Sequence, residues 1–113
     1  MERKVEIEGK EIPVKVTGNT PRSYRINFGR DVFKDLDTLN KEYKKAGIGA
    51  DFSCLEMLFY TMAKQANGSI GTLDEFLDGF DNPLSIVLNM GAILEVWNES
   101  LGTLSTAKNQ RTQ

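Results

Sequence analysis

Val5-Glu6-Ile7-Glu8-Gly9-Lys10-Glu11-Ile12-Pro13-Val14-Lys15-Val16, residues 5–16, is the stretch whose reading decides the fold class. Val5, Ile7, Ile12, Val14 and Val16 alternate with charged residues on both sides of Gly9-Lys10. A period of two is that of a strand with one buried face, and a glycine between two such runs can take the positive φ of a tight turn. The stretch predicts a β-hairpin turning at the glycine. Pro13 lacks an N–H, so it suits an edge position and discourages unwanted edge pairing. Downstream, Gly18-Asn19-Thr20-Pro21 reads as a loop, and Tyr24, Ile26 and Phe28 alternate with Arg25 and Asn27 before Gly29, predicting a third short strand. Two strands alone are marginal in water, so the two to three strands are expected as a small antiparallel meander lying against helices.

Helical periodicity takes over from there. Val32, Leu36, Leu39 and Tyr43 are spaced by four, three and four, with Phe33 widening the face, Asp31 at the start and Lys44 and Lys45 at the end. A second helix starts either at Asp51 or at the Ser53-Cys54-Leu55-Glu56 box and runs to Asn67-Gly68. Thr72-Leu73-Asp74-Glu75 is a further capping box, opening a short third helix through Phe76, Leu77 and Phe80. Pro83 is then read as the opening residue of a last helix, where its missing N–H is harmless. The expectation is an α+β fold: one domain over residues 1–102, with strands at about 3–28, three to four helices at about 30–101, and a mobile polar tail at 103–113.

The last helix is apolar on two faces. Leu84, Val87, Leu88, Gly91, Leu94 and Leu101 share one, while Ile86, Met90, Ile93 and Trp97 share the next. A helix with a single buried face shows a narrower stripe, so the second face is covered by the rest of the chain, by another copy or by a different protein. The sequence leaves these alternatives open.

Composition bounds the function. At 113 residues, 40% hydrophobic and 27% charged, the chain has the makeup of one globular domain. No apolar run approaches the roughly 20 residues of a membrane span, and Met1-Glu2-Arg3-Lys4 leads into a strand pattern rather than a signal peptide. A single cysteine, Cys54, fits a reducing compartment, and a cytoplasmic location is expected. The net charge of −2 is unevenly spread: residues 1–50 hold eleven Lys and Arg against eight Asp and Glu, whereas 51–105 hold Lys64 alone against eight acids. Such a dipole can steer association, and it also describes an ordinary solvated surface.

Catalytic equipment is sparse. With no histidine, the commonest general base and zinc ligand are missing, and Cys54 has no histidine to activate it and reads as a small buried hydrophobe. Asp74, Glu75, Asp78 and Asp81 lack the spacing of a calcium loop, and Gly47 and Gly49 have no following lysine to make a phosphate cradle. No enzyme, metal or cofactor is expected. Arg22, Arg25, Arg30 and Lys34, interleaved with Tyr24 and Phe28, are the candidates for a nucleic-acid-binding surface; against it, the aromatics alternate onto the face opposite Arg25 and the pI is about 5.2.

Taken together, Val5 to Val16, Tyr24-Arg25-Ile26-Asn27-Phe28-Gly29-Arg30-Asp31, Asp51-Phe52-Ser53-Cys54-Leu55-Glu56 and Tyr60-Thr61-Met62-Ala63-Lys64-Gln65-Ala66 resemble the tail assembly chaperones of long-tailed bacteriophages and prophages of Gram-positive bacteria. The likeness runs in order from about Val5 to Trp97 and rests on overall pattern. It implies a non-enzymatic protein of the host cytoplasm that keeps the tape measure protein soluble while the tail tube polymerises and is absent from the finished virion. It also implies self-association and a longer product made by translational frameshifting, for which the polar segment around Lys108-Asn109 lies near the expected slip site. A partner of this kind is a long amphipathic helix, and the residues expected to hold it are Ile86, Met90, Ile93 and Trp97, with Met57 on the second helix. The alternative from another class is a small nucleic-acid-binding phage or prophage regulator.

Overall fold

The hairpin forms where the alternation places it. In the structure, a computed structural model, β1 (Glu2–Ile7) and β2 (Lys10–Lys15) pair antiparallel with Val5 opposite Ile12 and Ile7 opposite Lys10. The backbone of residues 1–112 and the side chains of residues 1–102 are described. The turn falls at the glycine, with Glu8 as its other residue. Glu8 (φ 55°) and Gly9 (φ 74°) both take left-handed backbone, the requirement of a two-residue turn whose twist matches the strands. Counting outward from that turn, pairs alternate between hydrogen-bonded and non-bonded, and Lys4 opposite Pro13 falls in the second class, so the proline costs the ladder nothing.

The third strand is not one. Residues Thr20–Phe28 form helix α1, leaving a two-stranded sheet among the described residues. Pro21 sits in its first turn and Gly29 (φ 67°) ends it, its N–H donating to the Arg25 carbonyl at 2.7 Å. Tyr24 and Phe28 are four residues apart, a spacing that satisfies both the strand and the helix period. In the helix both turn inward, their rings meeting edge to face at 5.5 Å, and Ile26 is left outside, 64% exposed.

α2 (Val32–Ala46) starts at Asp31, whose carboxylate accepts from the Phe33 and Lys34 amides at 2.9 and 3.2 Å. A short 3-10 turn (Gly47–Gly49) leads to α3 (Ser53–Ala66), whose N-cap position is held by Phe52 and not by either expected signal; Asp51, one residue earlier, accepts from the Ser53 amide at 2.9 Å and its hydroxyl at 2.6 Å. α4 (Leu73–Asp78) carries the Thr72–Glu75 capping box. Pro83 does not open the last helix: Asn82 Oδ1 accepts from the Leu84 amide at 2.8 Å and α5 runs only over Ser85–Leu88. There the Asn89 side-chain amide donates to the Ser85 carbonyl at 2.8 Å, and the helix is interrupted before α6 (Met90–Thr112). Among the described residues the α-helices therefore number six, since α1 replaces a strand and the last helix is split. The backbone of 103–112 continues α6 past Gly102; the mobility expected of that tail lies outside the described residues.

The element at the centre is α3. Leu55, Leu58, Phe59, Met62 and Ala63 are fully enclosed, packed beneath Val5, Ile7, Val14 and Val16 of the hairpin and beside Val32, Leu39, Ile93 and Trp97. Burying each large side chain of this set contributes about 1.5–3 kcal/mol. An aromatic chain runs through the same core, from Phe28 to Tyr60 at 6.1 Å, Tyr60 to Phe76 at 5.8 Å and Phe76 to Phe80 at 5.4 Å.

Two polar clamps fix the outer elements. Glu8 reaches from the hairpin turn to accept from the Asp81 and Asn82 amides, both at 2.9 Å, and from the Ser85 hydroxyl, tying the turn to the start of α5. These three donors hold its carboxyl at about 2, well below the usual range. Between α1 and α2, buried Asp35 takes two bonds from Arg30 at 2.8 Å and one from the Tyr24 hydroxyl at 2.7 Å. The Arg30 bonds outweigh burial and lower the Asp35 pKa, while burial and the adjacent carboxylate raise that of Tyr24. Among the described residues, no helix is long and apolar enough to cross a membrane.

Candidate protein-docking groove

α2 and α6 meet at one point and leave a trough beside it. Phe33, at the start of α2, packs against Trp97 of α6 with ring centroids 5.5 Å apart. On one side of this pair a groove of about 380 Å³ is lined by Leu36, Asn40 and Tyr43 from α2 and by Met90, Leu94 and Leu101 from α6. On the other side lies a second hollow of about 430 Å³, walled by Met1, Val16, Pro21, Ser100 and Leu101 and sharing the same two rings. Phe33 is 50% and Tyr43 44% exposed, high values for aromatic side chains in a domain with an enclosed core elsewhere. Leu84, the N-cap of α5, and Leu88, its last residue, add exposed apolar surface shortly before Met90.

Helix geometry explains why both walls are mostly apolar, with Asp37, Asn40 and Asn98 as their polar members. Phe33, Leu36, Asn40 and Tyr43 recur at three and four residues, as do Met90, Leu94, Trp97 and Leu101, so each helix lines the groove along one stripe. Each helix also has a second stripe for the core: Val32, Asp35 and Leu39 on α2, Ile93 and Val96 on α6.

The five residues expected at the partner site are divided by the structure. Ile86 and Ile93 are core residues, the latter with no exposed surface, and Trp97 shows the groove only an edge at 3% exposure. Met90 lines the groove. Met57 lies elsewhere, in a recess of about 330 Å³ with Arg30, Asp35, Glu42, Asp51 and Cys54. The two faces of the last helix are thus reversed: Ile86, Ile93 and Trp97 form the inner one, and Leu84, Leu88 and Leu94 stand outward or half-buried. Sequence reading missed Phe33, Leu36 and Tyr43 as groove residues, although Phe33 at the edge of an already complete apolar face was the available signal.

No protein-family model, curated protein or solved structure matches this chain. The site's chemistry is therefore read from its own residues. The Met57 recess holds the chain's one cysteine, and burial pushes its thiol up to about 11, which makes it a poor nucleophile. Its Sγ donates to the Asp35 carbonyl at 3.6 Å, a packing contact. The basic and aromatic residues weighed for nucleic acid do not share a surface: Tyr24 is fully enclosed, Phe28 packs against Tyr60, and Arg30 is engaged by Asp35.

Proposed function

We propose that this chain is a non-enzymatic chaperone of the phage tail assembly type, which holds an amphipathic helix of the tape measure protein in the groove between α2 and α6. The observation that carries this reading is the groove itself, an open apolar trough walled by two helices and edged by exposed Phe33 and Tyr43. From Met90 to Leu101 its α6 wall rises about 16 Å, room for roughly three turns of a third helix lying alongside. A long helical partner made before its tube exists exposes apolar stripes that aggregate, and a trough of this kind covers them. Met90, with its adaptable thioether, suits a partner whose side chains vary along its length. Further copies of the chain, and a longer frameshifted form, would place such troughs in succession along one partner. The work is done in the host cytoplasm, and the chaperone leaves before the virion is complete.

The regulator alternative has less to stand on, because no exposed aromatic platform accompanies Arg22 and Arg25. Co-expression with the tape measure protein, followed by size-exclusion chromatography with light scattering, tests the proposal. A soluble complex, with the long protein insoluble when expressed alone, is the expected result. A partner that stays aggregated, together with retention of this chain on heparin at low salt and release as salt rises, would favour the regulator.

A further inference from the structure

We propose that the helix taken by the α2–α6 groove carries an acidic edge, which a rail of lysines along α2 selects and orients; this rests on the groove being the docking site. Asp37 lines the groove and Lys41 pairs with it at 3.0 Å, which places Lys41 on the outer edge of the α2 wall. Lys34 precedes Lys41 by seven residues and Lys45 follows it by four, so the three share one stripe. Lys44 follows groove-lining Asn40 by four and Asp37 by seven, continuing the lining stripe beyond Tyr43. All four lysines are exposed, and Asp37 is the one acid among them on that edge.

The opposite edge differs. Asn98 lines the groove on that side, and beyond it the outer side of the α6 wall presents Gly91, Glu95 and Gly102, with no cation among them. A Cβ added at Gly91 or Gly102 would meet nothing within 4 Å, so among the described residues nothing occupies the space beside those two glycines. An amphipathic helix seated with its apolar face down turns one polar flank to each edge. Acidic groups are favoured on the α2 flank, and that asymmetry sets the direction in which the helix lies. The chain as a whole is net negative, and residues 51–105 strongly so, which taken alone predicts a preference for basic partners. The local rail and the global charge therefore give opposite answers.

Two stapled three-turn peptides with the same leucine face, one flanked by glutamates and one by lysines, separate these answers by fluorescence anisotropy at low salt. The glutamate peptide is expected to bind about tenfold tighter, the sum of a few exposed ion pairs, with the gap closing as salt rises. The triple variant Lys34→Glu, Lys41→Glu, Lys45→Glu, confined to exposed positions, reverses the preference. If the lysine peptide binds equally or better while Leu94→Asp abolishes both, the groove is the site and the lysine rail has no selecting role. If neither peptide binds, or Leu94→Asp changes nothing, the groove reading falls and takes this inference with it.

Discussion

Ile93 and Leu94 are neighbours in sequence with opposite surroundings, and replacing each by alanine tests the orientation of α6. Ile93 has no exposed surface and belongs to the core with Val96 and Trp97. Truncation there removes the buried side-chain atoms and leaves a cavity that close-packed neighbours fill only in part, costing about 3 kcal/mol. For a domain of this length each kcal/mol moves Tm by roughly 4 °C, so Ile93→Ala should melt about 12 °C lower. Leu94 lines the open groove and is half-buried, so Leu94→Ala should cost no more than about 1 kcal/mol and move Tm by about 4 °C or less. Urea and thermal unfolding followed by circular dichroism, with Trp97 as the lone tryptophan reporter on the same helix, give both values. Equal losses for the two variants, or a larger loss for Leu94→Ala, would refute the placement of α6.

Two further outcomes follow from the polar clamps. Asp35 and Glu8 both have carboxyl pKa values depressed in the folded state, so the stability they contribute is complete above about pH 5 and is lost as pH falls through 4 toward 2. Urea midpoints at pH 7, 4 and 3 should fall accordingly, and less steeply in Asp35→Asn; a wild-type midpoint independent of pH would contradict the clamps. Asp35→Ala, which strands the buried Tyr24 hydroxyl, should cost about 2 kcal/mol at pH 7 by the same unfolding assay. Glu8→Ala should leave the core intact while speeding hydrogen exchange at the Asp81 and Asn82 amides, and unchanged protection there would show that the turn does not hold α5.

How far the sequence could be read depends on whether a residue's pattern admits one structure or two. Val5, Ile7, Val14 and Val16 alternate so regularly that only a strand pair buries them together, and all four are core residues. Asp31 and the Thr72–Glu75 box are local hydrogen-bonding signals that work without knowledge of the rest of the fold, and each caps its helix as read, whereas Asp51 lies one residue ahead of the α3 N-cap. Tyr24 and Phe28 were ambiguous because a spacing of four serves both periods; Pro21 and Gly29, the start and stop of a helix, were the deciding signals. Glu8 at positive φ could not be read, since its anchoring donors at Asp81, Asn82 and Ser85 are more than seventy residues away. The same limit applies to α6. Both of its faces are apolar, and which one meets α3 and the hairpin is decided by tertiary packing, so spacing alone assigns Ile86 and Ile93 to the partner and leaves out Leu94 and Leu101. The groove has a second wall on α2, and a pairing of two helices nearly sixty residues apart leaves no local trace.

The central claim, that the α2–α6 groove receives a partner helix, is tested most directly by site-specific photo-cross-linking in cells co-expressing the tape measure protein. A benzophenone side chain is placed at Leu94 in the groove, or at Ile26 or Ile48, which are equally apolar, 64% exposed and outside it. The account predicts a cross-link to the tape measure protein from Leu94 and none from Ile26 or Ile48. Cross-links from Ile26 or Ile48 with none from Leu94 would contradict it.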